Sequence, residues 1–262
     1  MSRPLRVALA AACLVALASA ALAGAEVARK GTLQLNLTGD LSPTTLPRTG
    51  DAPISVTVGG DISTTNKTPP PKLKTLTIDL NRSGVIDSQG LPVCPVSSIQ
   101  PGSSTRAMSA CRSALVGQGT FKATISLAGQ EPYPTGGKML LFNGSEGGKN
   151  VLLGHIFSPR PFATSFVIVF KIKKVGKGSF GTSLAAVLPP SLLNWGNITG
   201  IEIKLQRSFS AGGKRHSYLS AGCPTPKGVP KATFPLTKTT FGFDDGRKIS
   251  ATLVRTCKAR GK

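Results

Sequence analysis

The chain has 262 residues and carries 32 lysines and arginines against 11 acidic residues, a net charge of +21 at pH 7. Such a charge favours anionic partners such as wall polymers, acidic polysaccharides, nucleic acid or anionic lipid surfaces. One Trp and two Tyr serve the entire chain. Because nucleic-acid modules and sugar-binding modules commonly stack their ligands on aromatic rings, the composition argues against both of these classes.

The first 25 residues have the design of an export signal. Arg3 and Arg6 precede an apolar run from Val7 to Leu22, and small residues up to Ala25 offer cleavage sites. The run is shorter than the ~20 apolar residues that a membrane-spanning helix needs, and no cluster of charges follows it. We therefore expect a secreted, extracellular or cell-envelope protein without a transmembrane anchor, whose net charge falls to +19 when Arg3 and Arg6 are removed.

From Gly31 onward, the apolar residues recur with a period of two, which predicts half-buried strands. Phe166, Ile168, Phe170 and Ile172 form the clearest inward face, opposite Val167, Val169, Lys171 and Lys173. Pro, Gly, Asn and Asp separate about a dozen such runs, and Asp244-Asp245-Gly246 predicts a tight hairpin turn. The other alternating triplets are Leu33, Leu35, Leu37; Ile54, Val56, Val58; Leu76, Ile78, Leu80; and Ile201, Ile203, Leu205.

These patterns predict an all-β fold, an antiparallel β-sandwich of jelly-roll or Greek-key type with long Pro/Gly loops. The only helix candidate, Ser183 to Leu188, is short and is followed by Pro189-Pro190. We expect a single domain over residues 26–262. A change of composition at 132–137 offers one possible subdomain boundary.

Four cysteines follow the signal: Cys94, Cys111, Cys223 and Cys257. An even count in an exported chain predicts disulfides, and four cysteines allow three pairings. We favour Cys94 with Cys111 and Cys223 with Cys257, because each pair flanks a local unit. No CxxC pair exists, and neither His155 nor His216 has a second ligand at a standard interval, so we expect no metal site.

Two short motifs imitate ligand-binding loops. Residues 79–87 match an EF-hand loop at several positions, but position 12 is Gly90 rather than Glu and the preceding segment is strand-like, which favours a β-turn. Residues 176–181 spell GxGxxG, yet the helix that a dinucleotide fold needs cannot follow, because two prolines intervene. We interpret this motif as a hairpin turn and expect no cofactor.

No catalytic constellation is evident from the sequence. His155 lies in an apolar run and is expected to be structural, and no GxSxG elbow is present. Asp244 and Asp245 suit a turn better than acid–base chemistry. Leu46-Pro47-Arg48-Thr49-Gly50 matches the sortase pattern LPxTG, but it lies near the mature N-terminus, where cleavage would discard nearly all of the protein. We regard the match as coincidence.

Clustered cations are the best candidates for a binding site. Such a site would join Lys171, Lys173, Lys174 and Lys177 to the Lys214-Arg215 loop. The predicted function is an extracellular or cell-envelope binding or structural module for anionic polymers. The alternatives are a secreted hydrolase that uses two carboxylates and a protein-binding domain with incidental charge, since dispersed lysines often serve solubility alone.

Several segments of this chain resemble segments of a group of uncharacterised exported proteins of actinobacteria. They are residues 90–95 (GLPVCP), 111–119 (CRSALVGQG), 217–224 (SYLSAGCP) and 243–246 (FDDG) followed by Cys257. The resemblance extends over most of the mature chain and implies a secreted protein with two disulfides. It implies no activity.

Overall fold

The computed structural model describes residues 25–159, 163–176 and 178–260. The expected export signal lies outside these ranges except for Ala25. Within them, the chain forms 18 strands, three α-helices and one 3₁₀ turn, so the all-β prediction is confirmed. The expected helix at 183–188 is wrong: all of it except Leu188 belongs to a strand, where the branched and small residues pair with neighbours on both sides.

The secondary-structure elements have the following bounds. The strands are β1 (Glu26–Lys30), β2 (Leu33–Ser42), β3 (Thr45–Pro47), β4 (Ala52–Pro53), β5 (Ser55–Thr64), β6 (Leu73–Asn81), β7 (Gly84–Ile86), β8 (Leu115–Ile125), β9 (Tyr133–Glu146), β10 (Lys149–Ser158), β11 (Thr164–Lys174), β12 (Phe180–Val187), β13 (Gly196–Leu205), β14 (Ser208–Ala211), β15 (Lys214–Ser217), β16 (Leu219–Ala221), β17 (Lys231–Phe243) and β18 (Lys248–Arg260). The helices are α1 (Val96–Ile99), α2 (Ser104–Cys111) and α3 (Pro190–Trp195), and the 3₁₀ turn is Arg112–Ala114.

One sheet of 13 strands dominates the fold, in the order β1-β2-β5-β13-β8-β9-β10-β11-β12-β6-β17-β18-β3. Every neighbouring pair is antiparallel except β18 and β3. A smaller sheet, β4-β16-β7, and the hairpin β14–β15 complete the described part. The run from β8 to β12 consists of consecutive hairpins, whereas the pairs β13–β5, β13–β8 and β12–β6 join distant parts of the chain. The segment 132–137, where a subdomain boundary was considered, falls at the start of β9.

The inner face of this sheet encloses the main core. The alternating residues predicted from the sequence, including Leu35, Leu76 and Ile168, are buried there in one cluster. The sheet is curled so that its two halves face each other: Phe241 of β17 lies against Gly60 of β5, where an added Cβ would be 2.6 Å from the Phe241 Cζ atom. Near one end, Arg255 Nε of β18 donates to the Gly39 carbonyl of β2 (3.0 Å).

A second, smaller core lies on the outer face of β9, β10 and β11. The segment from Cys94 to Ala114 covers this face and buries Phe142, Leu153 and Val167 beneath it. Strands β9 and β10 are therefore apolar on both faces, which explains their continuous hydrophobic runs. The covering segment is attached by backbone bonding of Cys94 N to Asn143 O (2.8 Å), and the Gln100 side-chain amide donates to Ser165 O (3.0 Å).

Each core contains one disulfide, and the pairs are those favoured from the sequence. Cys94 and Cys111 are bonded in the second core, with Cα atoms 5.5 Å apart. Cys223 and Cys257 are bonded in the main core, with Cα atoms 6.1 Å apart. Both Cα separations fall in the usual range for disulfides.

Replacing Gly60 with alanine should destabilise the protein. The new methyl group would overlap the buried ring of Phe241, and overpacking of this kind costs about 1–3 kcal/mol. Gly176→Ala is the matched control, because nothing lies within 4 Å of its added Cβ. Urea unfolding measures both; equal midpoints for the two variants would contradict the close approach of the two sheet halves.

Removing the first disulfide should weaken the second core. The loop it closes spans 17 residues, which corresponds to about 3 kcal/mol in the chain-entropy account. We expect Cys94→Ser/Cys111→Ser to lower the melting temperature by roughly 6–12 °C, since about 2–4 °C is lost per kcal/mol in a domain of this size. Differential scanning calorimetry checks this. A wild-type melting temperature in the variant would show that this bond contributes nothing to stability.

Candidate functional site

The structure places the cations that the sequence grouped together on two different elements. Lys171 and Lys173 are exposed on the outer face of β11. Lys174 is directed to the opposite face of the sheet, because successive side chains of a strand alternate. Lys177 lies outside the described residues.

Lys214 and Arg215 belong to the hairpin β14–β15, which is a separate element. His216 Nδ1 lies 3.2 Å from Asp87 Oδ2, and the imidazole stacks on Phe209 with ring centroids 5.4 Å apart. The contact with Asp87 attaches the hairpin to the loop after β7, and the stacking joins its two strands. Lys214 and Arg215 therefore lie on a different element from Lys171 and Lys173, and the single cluster expected from the sequence stays a prediction.

Two lysines that the sequence analysis did not select extend the surface of β11 instead. Strand register places Lys173 opposite Ser183, Ser183 opposite Asp79, and Asp79 opposite Lys238. Lys248 lies further along β18, opposite Gly242. We define the basic face as the exposed outer surface of β11, β12, β6, β17 and β18 that carries Lys171, Lys173, Lys238 and Lys248. Alternation within β17 and β18 places both new lysines outward, but only the strand order brings them onto the same surface as Lys171 and Lys173.

The charge on the basic face is poorly neutralised. Asp79 is the one carboxylate in its described cross-strand rows, and it forms no ion pair within 4.0 Å. Lys171 Nζ lies 3.2 Å from Glu146 Oε2, with both side chains more than half exposed. Exposed pairs of this kind contribute about 0–1 kcal/mol. Hydroxyl groups fill the space between the lysines, as in the pair Thr240 and Ser250, whose oxygens are 2.8 Å apart.

A second polar surface lies on the other side of the segment that covers β9–β11. Helix α2 and the outward side chains of β8 and β9 border an open groove of about 600 Å³, which we name the α2 groove. Its cations are Arg112 and Lys138, and both are exposed. Sequence reasoning missed this groove, because α2 itself was not predicted.

The calcium-like loop is an ordinary turn in the structure. Asn81 Oδ1 accepts from Ser83 N (2.9 Å), and its amide donates to Pro235 O (2.8 Å). Asp87 Oδ1 accepts from Gln89 N (2.9 Å). Two of the side chains that a cation would need, those of Asn81 and Asp87, are engaged in these bonds. Within the described ranges, no group of three or more His, Cys, Asp or Glu residues could hold a metal ion.

The other two motifs also have structural roles. The GxGxxG segment connects the antiparallel strands β11 and β12, and Val175 N donates to Gly181 O (2.9 Å), as expected for a hairpin. In the LPxTG-like segment, Leu46 is fully buried and Arg48 Nη1 donates to both oxygens of Thr225 at 2.8 Å. Arg48 thereby holds the Pro-rich connection that follows Cys223 against β3.

His155 is buried, as its apolar neighbours indicated. Its side chain is fully inaccessible beneath the segment that covers β9–β11, and Nε2 donates to Gly102 O (3.0 Å). Burial lowers the pKa of His155, because the charged imidazolium would lose its hydration. A neutral, inaccessible imidazole here fixes residues 100–102 to the sheet and is remote from any ligand in solution.

Asp244 and Asp245 serve the turn between β17 and β18. Asp244 Oδ1 accepts from Lys72 N (3.1 Å), and Asp245 Oδ1 accepts from Arg247 N (2.9 Å). The backbone N–H of Arg247, followed by its guanidinium, holds the pKa of Asp245 below its usual value. Both carboxylates therefore act as turn residues.

Comparison with known proteins adds no assignment. The chain matches no protein-family model, and neither the curated proteins nor the solved structures include a match to it. In the part of the chain that the structure describes, no helix combines the length and the apolar character needed to cross a membrane.

The buried histidine predicts a dependence of stability on pH. The folded-state pKa of His155 lies below the usual value of 6.5, so the unfolded chain binds a proton more readily and stability is lost as the pH falls below 6.5. We expect the unfolding free energy to drop between pH ~7.5 and ~5.5 and the drop to shrink in His155→Gln. Urea titrations at several pH values measure it.

His216→Gln is the matched control for this experiment, because His216 is the other histidine of the chain. The pH dependence should persist in that variant. If it disappeared there and persisted in His155→Gln, burial of His155 would not be its cause.

Proposed function

We propose that this chain is an exported binding or structural module that attaches to anionic polymers of the cell envelope through its basic face. The observation that carries the proposal is the placement of four exposed lysines on one continuous sheet surface with Asp79 as the carboxylate among its rows. A surface of this kind offers a polyanion several contacts at once.

Clustering matters because salt limits the distance over which surface charges attract a ligand. At physiological ionic strength, attraction is screened beyond ~8–10 Å, so scattered lysines contribute little together. Neighbouring strands lie about 4.8 Å apart, which places the backbones of Lys173 and Lys238 about 14 Å from each other across β12 and β6. An extended polymer that crosses these strands would remain within screening distance of one lysine or another along its path.

The expected location agrees with the covalent chemistry of the fold. Two disulfides support an oxidising compartment, as does the expected signal at 1–25. They also fit the proposed relationship to the exported actinobacterial proteins. The two facing halves of the curled sheet support a sandwich-like description of the fold, and the jelly-roll or Greek-key form stays part of this proposal.

The rival functions receive less support from the described residues. A carboxylate-dependent hydrolase needs two free carboxyl groups across a cleft, yet Asp61, Asp87 and Asp245 form ion pairs and Asp244 serves a turn. A protein-binding domain with incidental charge would not depend on where its lysines lie. That difference can be tested directly.

The test compares two variants of equal net charge. One changes the basic face (Lys171, Lys173, Lys238 and Lys248 to Gln), and the other changes four exposed lysines elsewhere (Lys30, Lys67, Lys204 and Lys227 to Gln). Sedimentation with purified anionic wall polymer at ~50 and ~200 mM salt measures retention. We expect the wild type to bind at the lower salt and to release sharply at the higher, since the bound lysines displace counterions from the polymer.

The basic-face variant should lose most of this retention, and the control variant should keep most of it. Equal loss in both variants would mean that total charge, rather than this surface, attracts the polymer. Absence of wild-type binding at ~50 mM salt would refute the proposed function.

A further inference from the structure

We infer that the α2 groove is a second binding site, which takes a short acidic saccharide or another polyol that carries a carboxylate or a phosphate group. It is separate from the basic face, because the segment that covers β9–β11 lies between the two. The inference therefore goes beyond the proposed function and does not depend on it.

The charged side chains among the described residues that line the groove are all positive. Arg112 leaves the end of α2 and Lys138 projects from β9, so a guanidinium and an ammonium group flank the same space. None of the described residues that line it is acidic. Arginine binds carboxylate and phosphate through a planar pair of N–H groups, and lysine adds a point charge. The groove therefore selects an anion.

Uncharged polar groups complete the walls. The hydroxyls of Ser104, Thr105 and Ser109 lie on one side of α2 at helical spacing, and the amide of Gln118 faces them from β8. Hydroxyls and amides both donate and accept, which suits a ligand rich in hydroxyl groups. Polyols carry such groups in addition to their acidic substituents.

The floor of the groove is apolar but contains no aromatic platform. Leu140 is buried, and Met108 is partly buried beside it. No aromatic side chain is among the described lining residues, so a sugar ring would gain little from stacking here. Affinity must then come from the anionic group, and neutral sugars of the same size should not bind.

The helical wall is fixed to the sheet before any ligand arrives. Ser103 caps α2 by accepting from Arg106 N (3.2 Å), and Cys111 at its other end is bonded to Cys94. Gly102 N donates to Ser165 Oγ (3.1 Å), and Gly102 O accepts from the buried His155. A wall held at both ends loses little conformational freedom on binding, which favours specific recognition.

The size and shape of the groove suit a short oligomer. A space of about 600 Å³ that is open along one side exceeds a single sugar ring and lies within the usual range of small-ligand pockets. A unit within a chain could therefore bind with its neighbours extending into solvent. The groove would bind one acidic unit specifically, whereas the basic face attracts the polymer as a whole.

Titration calorimetry on the mature chain tests the inference with three probes at ~200 mM salt, where non-specific attraction is weak. Trigalacturonate supplies carboxylates, glucose 6-phosphate supplies a phosphate, and maltotriose is the neutral control. We expect at least one acidic probe to bind and maltotriose not to bind. The two acidic probes distinguish a uronate unit from a phosphorylated one.

Variants locate the binding. Arg112→Gln and Lys138→Gln should each weaken the acidic probe at least tenfold, whereas Lys248→Gln on the basic face should leave it unchanged. Melting temperatures confirm that the variants fold; the changed residues are exposed. Absence of binding by both acidic probes, binding of maltotriose with equal affinity, or equal weakening by Lys248→Gln would overturn the inference. Polymer retention is measured separately, so either site can fail without the other.

Discussion

The fold depends on burying the apolar face of its main sheet, and the contact between Phe241 and Gly60 shows how the sheet does this. A sheet with one apolar face must cover that face, and with few helices available this chain covers it with the sheet itself. Strands β5 and β17 are far apart in the sheet order, yet the aromatic ring of one lies on the glycine of the other. The missing side chain at position 60 provides the space that Phe241 fills, so the two halves can approach to packing distance.

The outer face of the sheet is covered only in part, and the cover divides this face into separate regions. Over β9–β11, the Cys94–Ala114 segment supplies the apolar cover. Its start is held by the buried amide of Asn143, which donates to Pro92 O (3.0 Å). Beyond this cover the outer face returns to the alternation of buried and exposed residues. The basic face and the α2 groove are the polar surfaces on its two sides, and their separation results from this second core.

Local features of the fold could be predicted from the sequence because they depend on neighbouring residues. Alternation identified the inward faces, such as that of Phe166 to Phe170, and the nearest cysteines form the disulfides. The order of the strands could not be predicted, because pairs such as β12–β6 and β13–β5 join segments about a hundred or more residues apart. Short strands carry no code for such distant partners beyond their hydrophobic face.

The helices and the proposed binding surfaces were missed for related reasons. Helix α2 has only eight residues and few strong helix formers, and isolated helices of that length are unstable in water. A cap at Ser103, a disulfide and packing on the sheet stabilise it, and only the structure shows these together. Lys238 was overlooked because Lys173, which shares its cross-strand row, is 65 residues away in the chain and three strands away in the sheet.

The arrangement of charge depends more on the acidic residues than on the basic ones. Lysines and arginines occur on nearly every element, so their positions alone do not distinguish one surface from another. The chain has only 11 carboxylates, so their positions determine where the positive surface charge is neutralised. Asp61 and Glu202 lie on β5 and β13, where Asp61 pairs with Lys122 (2.8 Å), and several others occupy turns. The cationic surfaces are those that the carboxylates leave uncovered, and for this reason a count of lysines in the sequence could not have located them.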